Sequence, residues 1–475
     1  MRFPTRTHAA GHPVAAAPAP PGLAPRRETR RPVDRSAVAW RALAGRLVLL
    51  WLVAYLVLRD TAPPGLATLQ AGLVAVVFAA VGRRIEQAFR AMTFAVGVPT
   101  AAAATAAASL LVLSVAAYWV PALRLGHAPL ALVAAVTGLG SGLWEALVRR
   151  AAPPPPRRVL IVGGGEATAR LLDDLARDEA AGYEPVAVVA DELHPRIGEA
   201  VPYAGALEDL PAAVRRYAPD LVVVAVATGR PQVFANLLEV ADAGFQVTGL
   251  PEMYEFAFGR LPVEDLTSAW FMSVLHAYQR PSNQAAKRAF DVVVALVGLA
   301  VTLPLYPLVA AVVKRTKGPL LYRQVRLGEH GRLFTMIKFR SMRVDAEASG
   351  QAQWAQADDP RVIPGGRLLR RLRIDELPQL WNVLRGEMSI VGPRPERPEF
   401  LEQLRTEVPF WTQRHLLKPG VTGWAQIRSG YAADALGTAE KLSYDLWYLR
   451  HRNLVLDLAI CLKTLPRMVL RRGAR

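Results

Sequence analysis

Five apolar runs constrain this chain more than anything else in it. Four come early, at residues 38–58, 65–82, 91–119 and 128–148, and a fifth lies at 290–313. Each approaches or exceeds the length of about 20 residues that a helix needs to cross a hydrocarbon core. One such run also suits a buried helix of a soluble protein, but four in succession with short connections favour membrane helices. The arginines set their orientation. Arg26, Arg27, Arg30, Arg31 and Arg35 precede the first run, Arg83, Arg84 and Arg90 separate the second from the third, and Arg149 and Arg150 follow the fourth. The two remaining loops hold only Arg59 and Arg124, so the bias of Lys and Arg toward the cytoplasmic side puts the N-terminus and everything after residue 150 there.

Composition sharpens this layout. Residues 1–37 are rich in Pro, Ala and Arg with almost no large apolar side chains, which predicts a disordered basic tail rather than a signal peptide. Cys461 is the one cysteine among 475 residues, so no disulfide within the chain and no thiolate metal site is available, in keeping with a reducing compartment. The formal charge of +17 is concentrated late: residues 285–475 hold 31 Lys and Arg against 17 Asp and Glu. Such a surface suits nucleic acid, anionic lipid or phosphorylated substrates. With membrane helices ahead of it, lipid and phosphate come first. No nucleic-acid-binding motif is present, and no nucleic-acid partner is expected.

Pro153–Pro156 form a stiff linker, after which "RRVLIVGGGEATARLLDDLA" reads as strand, glycine turn and helix. Further runs rich in β-branched residues, "YEPVAVVADE", "PDLVVVAVATG" and "FQVTGLP", alternate with helical patterns. That alternation predicts a parallel sheet with helices on both faces, a Rossmann-like domain over 157–275. Gly163 and Gly165 match the first two positions of GxGxxG, while Thr168 takes the third, and Asp191 follows a strand where it can meet a ribose or close a turn. A nucleotide site here and a purely structural or regulatory domain are both open readings. A redox nucleotide-sugar dehydratase is excluded, because no tyrosine has a lysine four residues later.

The fifth run, "FDVVVALVGLAVTLPLYPLVAAVV", has Lys287 and Arg288 before it and Lys314, Arg315 and Lys317 after it. Hydropathy alone suggests a spanning helix. Basic residues on both flanks instead suit a segment that begins and ends on one side, and Pro304 and Pro307 in its interior favour a break. A helix that enters, breaks near Pro304 and returns satisfies both observations.

The remainder carries the chemistry-bearing motifs. "GPLLYRQVRLGEHGRLFTMIKFRSM" reads as a β-hairpin turning at 328–331. In "RIDELPQLWNVLRGEMSIVGPRP", Asp375 and Glu376 stand at the head of an apolar run, where Asp suits an N-cap and Pro378 a first helical turn. Six motifs follow in order: Lys287, Arg288, Phe290 and Asp291; the proline-broken run; Lys338–Met342; Asp375–Gln379; Gly392–Pro395; and Lys418–Trp424. In that order they resemble the bacterial sugar transferases, the polyprenyl-phosphate phosphoglycosyl transferases, in their large form.

The resemblance implies a fold and a function. The expected architecture is membrane α plus α/β: four transmembrane helices over 38–150, the Rossmann-like domain, then an α-rich catalytic domain over 285–475 with a re-entrant helix at 290–313 and a β-hairpin. The implied reaction moves a sugar 1-phosphate from a UDP-sugar to undecaprenyl phosphate at the cytoplasmic face of a bacterial inner membrane, releasing UMP, as the first membrane step of exopolysaccharide, capsule or O-antigen synthesis. Asp375 matches the family's nucleophile and Glu376 its acidic neighbour, with Mg²⁺ bridging carboxylate and diphosphate. Lys338, Arg340, Arg370 and Arg394 are the candidate phosphate ligands, since forked guanidiniums match phosphate oxygens. Membrane lipids are further partners, and large members suggest a homodimer. The rival reading is a non-catalytic membrane-anchored sensor or scaffold that binds nucleotide sugar without turnover. Where family members often have Ser before the breaking proline, this chain has Leu303.

Overall fold

In the computed structural model, residues 63–91, 156–178, 181–198, 200–226, 231–266, 281–346, 359–429 and 435–469 are described, with isolated positions between 47 and 59 and at 110, 132, 135, 136, 140 and 270. The tail 1–37 and most of the first, third and fourth apolar runs lie outside the described residues. Helix α1 spans Pro64–Ala91. The second apolar run forms its first part, but the helix continues through Arg83, Arg84 and Arg90, which the charge pattern assigns to a loop. Arg, Glu, Gln and Ala are strong helix formers, and no proline follows Pro64 to stop it. Ala71, Val74 and Phe78 of α1 pack against Leu50, Ala54 and Leu58, while Leu52, Leu56, Leu69 and Val76 face outward. Among the described residues, one segment, Gln284–Val313, is long and apolar enough to cross a membrane, and Gly65–Ala80 is a shorter apolar stretch.

A four-stranded parallel sheet follows. Strands β1 (Arg157–Val162), β2 (Tyr183–Val189), β3 (Leu221–Val224) and β4 (Gln246–Gly249) lie in the order β2-β1-β3-β4. The helices between them are α2 (Glu166–Arg177), α3 (Leu210–Tyr217) and α4 (Pro231–Glu239), and α5 (Leu250–Phe258) leaves β4. Alternation along β1 divides the core into two layers. Val159 and Ile161 pack with Leu171, Leu175 and Met253, and Leu160 and Val162 pack with Leu210, Val214 and Leu237. The predicted α/β domain is therefore present, with helices on both faces.

The fifth apolar run forms α6 (Pro281–Thr302), one 3-10 turn at Leu303–Leu305, and α7 (Tyr306–Val313). Pro304 has no N–H to give the preceding turn. Next to the break, Thr302 donates its hydroxyl to Gly298 O at 2.7 Å. The sequence comparison at Leu303 predicts no hydroxyl at the break; one is present a residue earlier. Val293, Leu296, Val297, Val301, Leu303 and Leu308 project outward unburied. Both ends of the segment are nevertheless tied to the same domain. Arg288 donates to Val383 O and Leu384 O, each at 2.7 Å, and Val313 O accepts from Arg340 at 3.1 Å.

That domain begins with the antiparallel hairpin β5 (Leu321–Leu327) and β6 (Leu333–Phe339). Helix α8 (Gly366–Arg371) leads through a 3-10 turn at Ile374–Glu376 to α9 (Gln379–Arg385), and the short parallel pair β7 (Ser389–Val391) and β8 (Gly420–Thr422) comes next. Helices α10 (Trp424–Arg428), α11 (Ala435–His451) and α12 (Leu454–Val469) complete it around buried Trp411, Trp424, Trp447 and Tyr448. Buried Asp291 on α6 accepts from Ser389 Oγ and Ile390 N of β7 and pairs with Lys287, which also reaches Asp457 on α12 at 2.7 Å. Charges this deep persist because each has several partners.

A polar joint connects the domain to the parallel-sheet domain. Glu255 on α5, 3% exposed, accepts from Arg450 at 2.6 Å and from Trp270 Nε1 at 3.2 Å, and lies 2.8 Å from His451 Nε2. The carbonyls that end α5 are capped from α10: Trp424 Nε1 donates to Gly259 O and Arg428 to Phe258 O.

Candidate active site

Asp375 and Glu376 do not cap a helix. Arg373 adopts a left-handed conformation (φ 52°) after α8, the two acids sit in the 3-10 turn, and α9 begins only after Pro378. A non-glycine residue in that region carries strain of about 1 kcal/mol or more, which the surrounding packing must offset. The result is a tight corner in which both acids are less than a tenth exposed and Glu376 lines one narrow cleft beside β6. Asn382, fully buried on α9, fastens this corner to the hairpin. Its amide donates to Thr335 O (2.7 Å) and to Glu387 (2.6 Å) and accepts from Ile337 N (3.1 Å).

The two acids have different surroundings. Glu376 Oε1 lies 3.0 Å from Lys338 Nζ and 3.1 Å from Arg394, and Oε2 lies 3.3 Å from Arg373. Among the described residues the Asp375 carboxylate forms no hydrogen bond or ion pair. Burial, and then the charge of Glu376, push the Asp375 carboxyl up to about 6, against the pull of Lys338, Arg370 and Arg394. Burial opposes ionisation of Glu376 too, but Lys338, Arg394 and Arg373 outweigh it and hold that carboxyl well below the usual range. At neutral pH the corner therefore holds one anion neutralised by cations and one free to act on something else.

Of the predicted phosphate ligands, Lys338 and Arg394 line the cleft and Arg370 lies close enough for its charge to favour ionised Asp375. Arg394 is held from behind, because Arg414 donates to its carbonyl at 3.1 Å and the β7–β8 pairing fixes Gly392 and Pro393. Arg340 is a correction. Its guanidinium donates to Pro319 O, Val313 O and Thr316 O, is 4% exposed, and caps the C-terminal end of α7 instead of reaching the cleft. Arg326 and Gln379 also line the cleft; Gln379 closes the Asp375–Gln379 motif without a role assigned to it there, and Arg326 lies outside the six motifs. Period-two alternation across the hairpin is the signal for Arg326, which shares a face with Tyr322, Gln324 and Lys338.

The parallel sheet has its own cavity, of about 580 Å³, at the carboxyl ends of its strands. Gly163, Gly165, Asp191, His194 and Ala225 line it, so the three residues predicted for a nucleotide are brought together. Gly163 (φ 124°) is required there, since a Cβ would meet Ala225 O at 2.9 Å. Thr168, at the third glycine position, donates its hydroxyl to Gly163 O at 2.7 Å, and Asp191 accepts from Leu207 N at 3.1 Å.

A buried acid pair ringed by cations, beside an apolar broken helix, defines a site for anionic substrates. Comparison with known proteins agrees. Residues 282–471 match the model of the bacterial sugar transferase family. The chain is 39% identical over 240 residues to UDP-N-acetylgalactosamine-undecaprenyl-phosphate N-acetylgalactosaminephosphotransferase of Aeromonas hydrophila, covering 50% of this chain and 56% of that one. It is 37% identical over 232 residues to UDP-glucose:undecaprenyl-phosphate glucose-1-phosphate transferase of Escherichia coli, covering 48% and 49%. Exopolysaccharide production protein ExoY of Sinorhizobium fredii is 36% identical over 223 residues, covering 44% of this chain and 96% of that one. The chain thus spans about half the length of the larger relatives it matches and nearly all of the shorter one. It belongs to the bacterial sugar transferase family.

Proposed function

We propose that the chain transfers a hexose 1-phosphate from a UDP-sugar to undecaprenyl phosphate and releases UMP, through an aspartyl-phosphosugar intermediate. The observation that carries this is the division between the acids: Asp375 is unpaired among the described residues, while Glu376 is held by three cations. Asp375 attacks the sugar-linked phosphorus, the new O–P bond forms as the bond to UMP breaks, and Lys338 and Arg394 bind the phosphate charge. The acceptor phosphate then attacks the same phosphorus and frees the Asp375 carboxylate. An acyl phosphate preserves the transfer potential of the diphosphate it replaces. The relatives' names support this chemistry, and they differ in the sugar, glucose or N-acetylgalactosamine.

Mg²⁺ belongs to the same proposal. It takes few protein ligands when substrate phosphates fill its shell, and the free carboxylate of Asp375 fits that role, with Glu376 beside it. Bound there, the ion would neutralise phosphate charge.

The membrane placement is also proposed: a multi-pass inner-membrane protein with four early spans, α6 and α7 entering and leaving the cytoplasmic leaflet around Pro304, and the chain working as a homodimer. A spanning helix would carry Val313 about 30 Å away, beyond the domain that holds Arg288. The ties at both ends support re-entry. The cavity at Gly163, Gly165 and Asp191 suits a nucleotide, with a regulatory rather than catalytic part. Purified protein with Mg²⁺, undecaprenyl phosphate and a panel of UDP-sugars should release UMP, and Asp375→Asn should abolish release; near-normal turnover in that variant would end the covalent mechanism. A cysteine placed just after residue 317 and labelled from outside would overturn the re-entrant topology.

A further inference from the structure

Arg326 is the cation lining the cleft that the proposed chemistry does not use. It lies on β5 opposite Phe334, and its guanidinium is firmly mounted. Nε and one terminal nitrogen donate to Gln324 Oε1 at 3.0 and 2.6 Å, and the other terminal nitrogen donates to Pro395 O at 3.1 Å. A guanidinium has five N–H hydrogens, so two have no acceptor among the described residues. Those two belong to the terminal nitrogens, the fork that grips phosphate.

The balance of charge in the cleft points the same way. Three cations, Arg326, Lys338 and Arg394, line it against one lining acid, Glu376. Burial and the nearby charges of Arg394 and Arg397 push Arg326 down to about 10, despite the opposing charge of Glu396. Crowded cations of this kind are relieved when an anion enters. The cations also fall in order. Lys338, Arg370 and Arg394 act on Asp375, and Arg326 acts in turn on Lys338. A diphosphate attacked at Asp375 therefore extends its second phosphate toward Arg326.

We propose that Arg326, mounted on Gln324 and the Pro395 carbonyl, binds the nucleoside-monophosphate half of the donor and so also the released nucleotide. This rests on the sugar 1-phosphate transfer proposed above. The test uses the full chain in detergent or nanodiscs, with UMP as probe. In Arg326→Gln, the Kd for UMP and the KM for the UDP-sugar should rise tenfold or more, and Arg326→Lys should recover part of the loss. Gln324→Leu keeps the charge but frees its mount, and should raise both constants about threefold at unchanged melting temperature. Unchanged UMP affinity in folded Arg326→Gln, with turnover intact, overturns the Arg326 assignment alone. Normal UMP binding by the unmodified chain with no UMP release from any UDP-sugar overturns the transfer reaction and leaves the nucleotide site standing.

Discussion

Lys338 Nζ lies 3.0 Å from Glu376 Oε1, and no comparable partner reaches the adjacent Asp375 among the described residues. One position in the chain thus separates a carboxylate held by three cations from one that no side chain pairs among the described residues. Glu376 is the hub on which the cations of the cleft are organised.

Replacing Glu376 by Gln removes the charge that holds Lys338, Arg394 and Arg373. Breaking a buried ion pair from one side costs roughly 3–5 kcal/mol, and the half-exposure of Arg394 places the loss at the low end of that range. UMP release should fall by about two orders of magnitude, as is usual when a positioned charge is lost. Denaturant unfolding and a UMP assay on the same preparation check both.

Activity should depend on ionised Asp375. With its carboxyl at about 6, the anion fraction falls as pH drops through that value, so kcat/KM should decline about tenfold per unit below it. Lys338→Met removes a charge that favours the anion and should move the midpoint upward. A kcat/KM that stays level between pH 5 and 7 would contradict the assignment.

Asn382→Leu leaves Ile337 N–H and Thr335 O, both part-buried, without the partner that a fully buried side chain supplies. Each orphaned group costs about 1–3 kcal/mol, so the variant should lose at least 2 kcal/mol. Because Asn382 fixes α9 to the strand that carries Lys338, donor KM should rise as well. Stability and steady-state kinetics test the two effects.

Arg340→Met separates a helix cap from a phosphate ligand. The variant should melt at lower temperature while the folded fraction keeps its KM for the UDP-sugar within about twofold, because three carbonyls lose their donor and the cleft loses nothing. A tenfold rise in KM at unchanged stability would return Arg340 to the substrate.

The parallel sheet was legible because strands buried on both faces are near-continuous β-branched runs, as in "RRVLIV" and "LVVV". The glycine turn was legible for a related reason: only glycine tolerates the backbone at Gly163. Arg340 misled because a guanidinium suited to phosphate oxygens suits carbonyl oxygens equally: β6 ends at Phe339, and Arg340 turns onto Val313 O, Thr316 O and Pro319 O. Asp375 misled as a cap because the left-handed Arg373 makes a corner that no local preference announces. Two of the three cations on Glu376 stand 38 residues before it and 18 after it, distances at which a single sequence carries no pairing signal.

The joint at Glu255 bears on how the molecule is made. Arg450 follows Glu255 by 195 residues, and at synthesis rates of about 5–20 residues per second it leaves the ribosome roughly 10–40 seconds later. Every residue of the parallel sheet and α5 is out of the ribosome in that interval. The last long helices meet α5 after it, so their register rests on docking to Glu255 as well as on their own sequence.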